Sequence, residues 1–336
     1  MGRYSSLATL ALLFTAITAL PQSPPSTNCF RALAPIAEGA RQEHGAAAVG
    51  TNLYIVAGMR NWKLGTSVEK YDTIANKWST VAPTEMGMHH PNVASVDGKV
   101  YLLGGLTTLP NVTSGLWPSE LNVRCYAYDP AKDTWEKLAP LPDPRGSAMI
   151  AVHGKKIYLV GGVVGPGKVL DVVSVYDTVS NTWSKLSDKP LPEGRDHGGG
   201  AVVGDTFYAV AGRLGSQTSR QNSLYALNLV DPAAKWQTLM NMPSARGGIA
   251  VSALGRKIYV FGGEGNPEPN TQGVYSNVES FDTETKSWAV EAPMKVPRHG
   301  TPATTVGDRI FIAGGGVAQG GAKGVATVES YGPGPC

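Results

Sequence analysis

The chain has 336 residues, a formal net charge of +3 and no basic block, which argues against nucleic acid as its main partner because phosphate binding needs clustered lysine and arginine. Its 41 glycines and 24 prolines are scattered, as expected for many short strands joined by tight turns rather than for a disordered tract. A repeat architecture can hold this length as one unit.

The first 28 residues are expected to lie outside the fold. Arg3 gives a positive start, residues 7–20 form an apolar run, and a proline-rich stretch ends it. The run is shorter than the ~20 residues of a membrane-spanning helix and is typical of a secretory signal peptide. We predict a signal peptide over residues 1–20, a short linker over 21–28, no transmembrane segment and an extracellular protein.

Residues 29–336 carry three elements that recur in register. A short apolar strand begins with an aromatic residue, ends in glycine and returns six times at intervals of about 50 residues, as at 54–58. An aromatic–aspartate step follows, with a tryptophan seven residues after the aromatic, as in Tyr71-Asp72 and Trp78. An arginine stands thirteen residues before the strand aromatic in five units: Arg41, Arg145, Arg195, Arg246 and Arg298.

This order of elements resembles the kelch repeat. The resemblance covers essentially all of residues 29–336 and implies an all-β, six-bladed kelch-type β-propeller. In this fold four antiparallel strands per blade, lettered a to d in repeat order, surround a central channel. The glycines end strands instead of opening helices, so we expect no phosphate-binding loop.

The sixth unit has Tyr331 but no tryptophan after it, so its outer strand is missing. Residues 30–35 read like residues 135–140, with Phe30 in the place of Trp135. We therefore expect the N-terminal strand to complete the last blade and to cover an edge that would otherwise be exposed.

The repeat alignment also bears on the three cysteines. Cys29 and Cys336 take positions that a peptide bond joins in other blades, and neighbours in such a turn are close enough for a disulfide. We predict that this pair is bonded and that Cys125 is a buried, inert thiol.

In kelch propellers the loops after the glycine pairs (b–c) and the links carrying the arginines (d–a) open on one face, which usually binds the ligand. The longest b–c loop, residues 106–121, carries Trp117 and an N-glycosylation sequon at Asn111.

Two interpretations of the arginines stay open. Around one channel mouth they would attract carboxylates or acidic sugars. Alternatively, each belongs to the repeat and pairs with a local carboxylate two residues before the strand-c aromatic; the candidates are Glu69, Glu279 and Glu329.

Five of the six histidines fall ten to twelve residues before a strand-b aromatic, in the d–a corner: His44, His89, His90, His197 and His299. Glu43 and Asp196 share this corner, and Arg213 and Glu264 directly follow glycine pairs. Such groups can bind ligand, move protons or hold a metal. Because the blades stand around a wide ring and no His-x-His spacing occurs, we expect no metal and no cofactor.

Known kelch enzymes narrow the possibilities. Copper radical oxidases of the galactose oxidase kind resemble the chain in fold, but they need a Tyr-His ligand pair, which the sequence lacks. Periplasmic sialic acid mutarotases resemble it in having six blades and being exported, without a shared local motif.

The leading hypothesis is a secreted, monomeric propeller that binds a polar or acidic ligand (a glycan, a peptide or a small metabolite), with no nucleic-acid or membrane partner. One alternative is a cofactor-independent isomerase, mutarotase or cyclase using His90 or His197 for acid–base catalysis; another is a protein–protein interaction module. The predicted ligand-binding residues are Arg145, Arg195, Arg213, Arg246, Glu264, Arg298, His299 and His44.

Overall fold

The computed structural model describes residues 28–108, 120–321 and 323–334, together with Gly2. Within these ranges the chain forms strands, turns and bends but no helix, which confirms the all-β prediction. Accordingly, no helix of this part of the chain could cross a membrane. The rest of the predicted signal peptide, the sequon at Asn111, Trp117 and Cys336 lie outside the described residues.

The described chain contains six four-stranded antiparallel sheets, each one blade, and two short ribbons within b–c loops. The strands of blades 1 to 3 are β2 (Gly45–Val49), β3 (Asn52–Val56), β6 (Val68–Asp72) and β7 (Lys77–Val81); β8 (Val93–Val96), β9 (Lys99–Thr107), β10 (Glu120–Asp129) and β11 (Thr134–Leu138); β12 (Met149–His153), β13 (Lys156–Val160), β16 (Val173–Asp177) and β17 (Thr182–Lys185). Those of blades 4 to 6 are β18 (Gly199–Val203), β19 (Thr206–Arg213), β20 (Arg220–Asn228) and β21 (Gln237–Thr238); β22 (Ala250–Leu254), β23 (Lys257–Phe261), β24 (Val278–Asp282) and β25 (Ser287–Val290); β26 (Ala303–Val306), β27 (Arg309–Ala313), β28 (Val328–Gly332) and β1 (Cys29–Leu33). The ribbons pair β4 (Met59–Arg60) with β5 (Lys63–Leu64), and β14 (Val163–Gly165) with β15 (Lys168–Val169).

The innermost strand of each blade contacts its counterparts in the neighbouring blades, so the six strands form the wall of a channel. These strands are rich in small residues, such as Gly-Ala-Ala-Ala-Val in β2 and Gly-Gly-Ala-Val-Val in β18. The small residues are needed because the strands approach closely: a Cβ at Gly200 would lie 2.9 Å from the backbone nitrogen of Ile150. The sequence of the inner strands thus sets the narrow bore of the channel.

Blade 6 closes the ring with both ends of the propeller, as predicted. Strand β1 pairs antiparallel with β28, and Phe30 stands opposite Tyr331 with ring centroids 4.8 Å apart. The tyrosine–tryptophan pair of blade 1, Tyr71 and Trp78, has the same register and a centroid distance of 4.9 Å. Phe30 therefore occupies the tryptophan position of the last blade, as the repeat alignment predicted.

The outer-strand tryptophans join each blade to the one before it. Nε1 of Trp78 donates to the carbonyl of Ala34, just past β1, and Nε1 of Trp135 donates to that of Ala82, just past β7, both at 2.9 Å. A buried indole N–H needs an acceptor. These residues have the structural role that the repeat assigns them.

Candidate functional site

The five repeat arginines are buried inside their blades, with side chains at most 1 % exposed. Arg41 lies 2.9 Å from Glu69, and Arg246 and Arg298 lie 2.8 Å from Glu279 and Glu329. The local ion pairs predicted as one of the two interpretations are therefore confirmed.

The backbone of these arginines also connects blades. The carbonyl of Arg195 accepts a hydrogen bond from Gly162 N at 2.7 Å, and that of Arg298 from Gly263 N at 3.0 Å, each glycine being the second of the preceding blade's pair. A Cβ at Gly161 would lie 2.5 Å from the Arg195 oxygen, so the pair must stay small. Arginine and glycine pair together form a connection between blades.

Two residues after each arginine, and after Met88 in blade 2, the chain turns toward the channel axis. All six residues at this position have a left-handed backbone, with φ between +50° and +62°. We call them the mouth ring. Its members are, in order, Glu43, His90, Ser147, His197, Gly248 and Gly300.

Hydrogen bonds close the mouth ring on itself. The N–H of each member reaches the preceding member, from His90 N to the Glu43 carbonyl at 2.8 Å and onward to Glu43 N, which donates to the Gly300 carbonyl at 2.7 Å. One link uses a side chain: His197 N donates to the Ser147 hydroxyl at 3.1 Å. These bonds draw the six residues to the axis, so side chains from different blades can meet there.

Three of those side chains do meet. Nε2 of His90 lies 2.8 Å from Nε2 of His197 and 2.9 Å from Oε2 of Glu43, and all three side chains are buried. The prediction that the width of the ring would keep these side chains apart is wrong. The left-handed turn brings them close to the channel axis, well inside the radius at which the blades stand. The two glycines of the ring leave the space, since a Cβ at Gly300 would overlap Oε1 of Glu43.

Charged residues next to the mouth ring extend this cluster. Nδ1 of His197 lies 2.7 Å from Oδ2 of Asp196, and the same oxygen lies 3.7 Å from the guanidinium of Arg213. Arg213 forms an ion pair with Glu264, and Glu264 lies 3.5 Å from Nε2 of His299.

Nε2 of His299 also lies 3.9 Å from Oε1 of Glu43, so the buried polar groups form a closed circle around the mouth. We call this circle of side chains the polar cluster. Its members are Glu43, His90, His197, Asp196, Arg213, Glu264 and His299.

The electrostatics of the polar cluster favour ionised carboxylates. Burial raises the pKa of Glu43, but the charge and hydrogen bond of His90, with His299 and His197, outweigh it and leave that pKa well below its ordinary value. The pKa of Asp196, raised by burial, is brought down to about 2 by His197 and Arg213. The pKa of His197 is lowered by burial and by Arg213, against the opposing effect of Asp196.

Two cavities meet at the polar cluster. The channel itself encloses about 490 Å³ and is lined by the inner strands together with Glu43, His44, His90 and His197. A second cavity of about 330 Å³ lies on the b–c loop side. Its walls and base are formed by His90, Leu106, Val163, Gly165, Pro166, Gly167, Asp196, His197, Arg213, Gly215, Ser216 and Gln217. We call this second cavity the loop pocket. His90 and His197 line both cavities, so they stand between the channel and the loop pocket.

The predicted site residues divide into three groups. His90 and His197 line both cavities, Arg213 lines the loop pocket and His44 lines the channel. Glu264 and His299 belong to the polar cluster behind them. Among the residues described, the remaining four predicted ligand-binding residues line neither of these cavities: Arg145, Arg195, Arg246 and Arg298.

The sequence prediction left out two residues that the structure places at the centre, Glu43 and Asp196. The sequence places both in the d–a corner, but neither is among the predicted site residues. Glu43 occupies the same repeat position as His90 and His197, two residues after the arginine position. Aligning that position across blades would have identified it.

Fold and site together define a β-propeller with a buried polar cluster at one mouth of its channel. The family model described as the KLHDC2/KLHL20/DRC7 Kelch-repeats domain matches residues 90–315, and the one described as Kelch motif matches residues 40–84. The chain belongs to the kelch-repeat family.

Relatives and solved structures agree with this assignment. Kelch-like protein terF of Aspergillus terreus (strain NIH 2624 / FGSC A1156) is 33% identical over 292 residues, covering 83% of this chain and 62% of that protein. Kelch-like protein 25 of Homo sapiens is 31% identical over 229 residues, 66% of this chain and 37% of that protein. The chain thus spans less than two thirds of the length of either relative. The solved structure of YjhT matches with a TM-score of 0.74 at 18% identity, over 88% of this chain and 95% of that one, which shows the fold alone.

Proposed function

We propose that this protein is an exported kelch propeller that binds a small polar molecule in the loop pocket. The observation that carries the proposal is the pocket itself: about 330 Å³ of space with His90, Asp196, His197 and Arg213 at its base. Pockets of about 300–1,000 Å³ with apolar walls and a few convergent polar groups are typical of small-molecule sites. Export rests on the signal-peptide pattern of residues 1–20.

The pocket's lining suits a compact ligand with one polar end. Leu106, Val163 and Pro166 offer apolar walls, while Ser216 and Gln217 add neutral polar groups near the rim. A strongly acidic ligand is less well matched, because the repeat arginines are buried inside their blades and Arg213 already has Glu264. We therefore favour a neutral or weakly charged metabolite over an acidic glycan or peptide.

Filling the pocket tests the proposal. A library of small polar metabolites is screened against the purified protein by the shift in Tm, since a ligand that binds only the folded state raises its stability. Ser216 lines the pocket and is exposed at its rim. In Ser216→Trp the indole should fill the pocket and exclude the ligand, so the Tm shifts should be abolished.

Thr218 is exposed in the same turn and does not line the pocket, so Thr218→Trp is the matched control. Compounds that shift wild type and the control but not Ser216→Trp support the proposal. Shifts that survive Ser216→Trp, or a library with no hit, contradict it.

Acid–base catalysis is a second candidate, favoured by the geometry of His197. Asp196 accepts the Nδ1 proton at 2.7 Å, so Nε2 is the basic nitrogen, and the lowered pKa of His197 keeps it available as a base at neutral pH. Arg213 lines the pocket and is placed to hold an anionic group of a substrate, whereas Arg246, buried in its blade, does not line it.

Proton abstraction would show itself as deuterium exchange. Each compound that binds is incubated with protein in D₂O and followed by NMR. Incorporation of solvent deuterium, or conversion to an isomer, that is lost in His197→Gln supports catalysis. Incorporation at the same rate in His197→Gln, or in no case, favours a binding role alone.

A further inference from the structure

We propose that Glu43, His90 and His197 form a binding site for a divalent first-row transition-metal ion at the mouth of the channel. The proposal concerns the mouth ring and does not depend on any ligand of the loop pocket. An ion bound to Nε2 of His197 would occupy the nitrogen that the catalytic alternative uses as its base, so the ion and that alternative exclude each other. The three residues come from blades 1, 2 and 4, and their donor atoms all lie within 4.8 Å of one another. Two imidazoles and one carboxylate are a donor set that Zn²⁺ and Fe²⁺ accept in proteins.

The distances fit a shared ion. With metal–nitrogen bonds of about 2.1 Å, adjacent ligands of an octahedral ion stand ~3.0 Å apart and those of a tetrahedral ion ~3.4 Å apart. The observed separations from His90 Nε2 are 2.8 Å to His197 and 2.9 Å to Glu43. Both separations lie within a few tenths of an ångström of the octahedral value, and the third pair of donors, Glu43 and His197, lies within 4.8 Å.

The hydrogen bonds around the cluster present the correct nitrogens. Asp196 accepts the Nδ1 proton of His197, which leaves the Nε2 lone pair directed at His90. Nδ1 of His90 faces Nδ1 of His89, so its Nε2 is again the atom that faces the cluster. A carboxylate behind a ligating histidine is the usual outer partner in protein metal sites, where it fixes the ring and its tautomer.

The charge of the polar cluster also calls for a cation. It contains three carboxylates, Glu43, Asp196 and Glu264, and one guanidinium, Arg213. All four side chains are buried. A bound dication compensates this excess where water cannot.

The ion would be reachable from both sides. His90 and His197 line the channel and the loop pocket, and Glu43 lines the channel, so coordination positions not taken by protein open into these spaces. A site with three protein ligands and open positions is the arrangement of reactive rather than purely structural metal centres.

Metal content of the whole protein tests the proposal. The purified chain is stripped with chelator, dialysed against Zn²⁺ or Co²⁺ and analysed for bound metal, with visible absorption reporting Co²⁺ coordination. We expect one ion per chain in wild type and a rise in Tm on loading. His90→Gln and His197→Gln should lose the ion and the Co²⁺ spectrum.

Two further variants keep the experiment decisive. His153 lies at the end of β12 with its side chain 2.8 Å from Asp205, away from the mouth, so His153→Gln is the matched control and should bind as wild type does. Asp196→Asn retains all three ligands and should weaken affinity by about 10–100-fold.

Wild type without stoichiometric metal, or His90→Gln and His197→Gln that both still bind it, would overturn the site. If the ligand variants do not fold, an unchanged affinity in Asp196→Asn would do the same. None of these outcomes affects the Ser216→Trp test, so the two proposals can fail separately.

Discussion

Gly300 and Gly307 share one backbone conformation and differ in their surroundings. Both have φ of +60°, the left-handed region that side chains avoid. A Cβ at Gly300 would overlap the Glu43 carboxylate, whereas at Gly307 no atom of the described chain lies within 4 Å. The two positions therefore separate backbone strain from packing in the mouth ring.

Gly300→Ala is expected to destabilise the protein more than Gly307→Ala does. Each change adds left-handed strain of about 1–2 kcal/mol. Only Gly300→Ala also displaces Glu43 from His90 and leaves a buried carboxylate poorly paired, which adds about 1–3 kcal/mol. Urea unfolding measures both free energies, and equal losses would contradict the placement of Glu43.

The types of residue in the site could be predicted from the sequence, but their closeness to one another could not. The repeat register places histidines and carboxylates in one corner of each blade, as the sequence analysis inferred. The register does not show how close these residues lie to the channel axis. That distance is set by the left-handed turn at Glu43, His90 and His197. This repeat position holds Glu, His, Ser or Gly in different blades, so the residue types alone do not show that the six residues are equivalent.

Among the elements, the buried arginine–carboxylate pairs differ between blades. In blade 5, Glu279 and Arg246 are both at most 2 % exposed. In blade 4, Arg195 is as buried, but its carboxylate partner Glu193 has a side chain 45% exposed. Loss of a fully buried carboxylate removes an unscreened attraction, whereas water already screens the attraction between Arg195 and the exposed Glu193, so the loss of Glu193 costs less.

Glu279→Gln is therefore expected to cost about 3–5 kcal/mol of unfolding free energy, because the Arg246 guanidinium is left buried without its counter-charge. Glu193→Gln, the matched change in the preceding blade, should cost at most about 1 kcal/mol. Denaturant unfolding of the two variants gives the comparison. Similar costs would mean that these arginines are not held by their carboxylates.

The blades were predictable as elements, whereas the ribbons inside the b–c loops were not. The apolar strand that ends in glycine occurs in all six blades and identifies each of them, including blade 2, which has Met88 in place of the arginine, and blade 6, which has no tryptophan after Tyr331. The ribbon of β4 and β5 turns at Asn61 and Trp62, both left-handed with φ of +48° and +64°. Asn-Gly would signal such a turn; Asn-Trp does not, since tryptophan is rarely left-handed.

At the scale of the whole molecule, one prediction about the closure of the ring, the disulfide between its two ends, has not been tested. Strand β1 pairs with β28, Cys29 stands opposite Gly332, and its Sγ lies 3.5 Å from the carbonyl of Gly334, two residues before Cys336. We still predict the Cys29–Cys336 disulfide. It would close a loop of about 300 residues and stabilise the fold by roughly 5 kcal/mol on a chain-entropy estimate.

Counting thiols tests this closure. Cys125 is confirmed as a buried free thiol, and burial raises its pKa to about 12, so native protein at pH 8.5 should react with no thiol reagent. Denatured but unreduced protein should show one thiol, and reduced protein three. Three thiols before reduction would exclude the disulfide.

The pairing of β1 with β28 also sets an order of events during synthesis. Strand β1 leaves the ribosome before every other strand of the propeller, yet its hydrogen-bonding partner leaves last. Until then it is an unpaired apolar edge, the kind of segment that associates with other chains. The first strand therefore stays without its partner until the last strand of the propeller has been made, and it needs protection for as long as the other five blades take to appear.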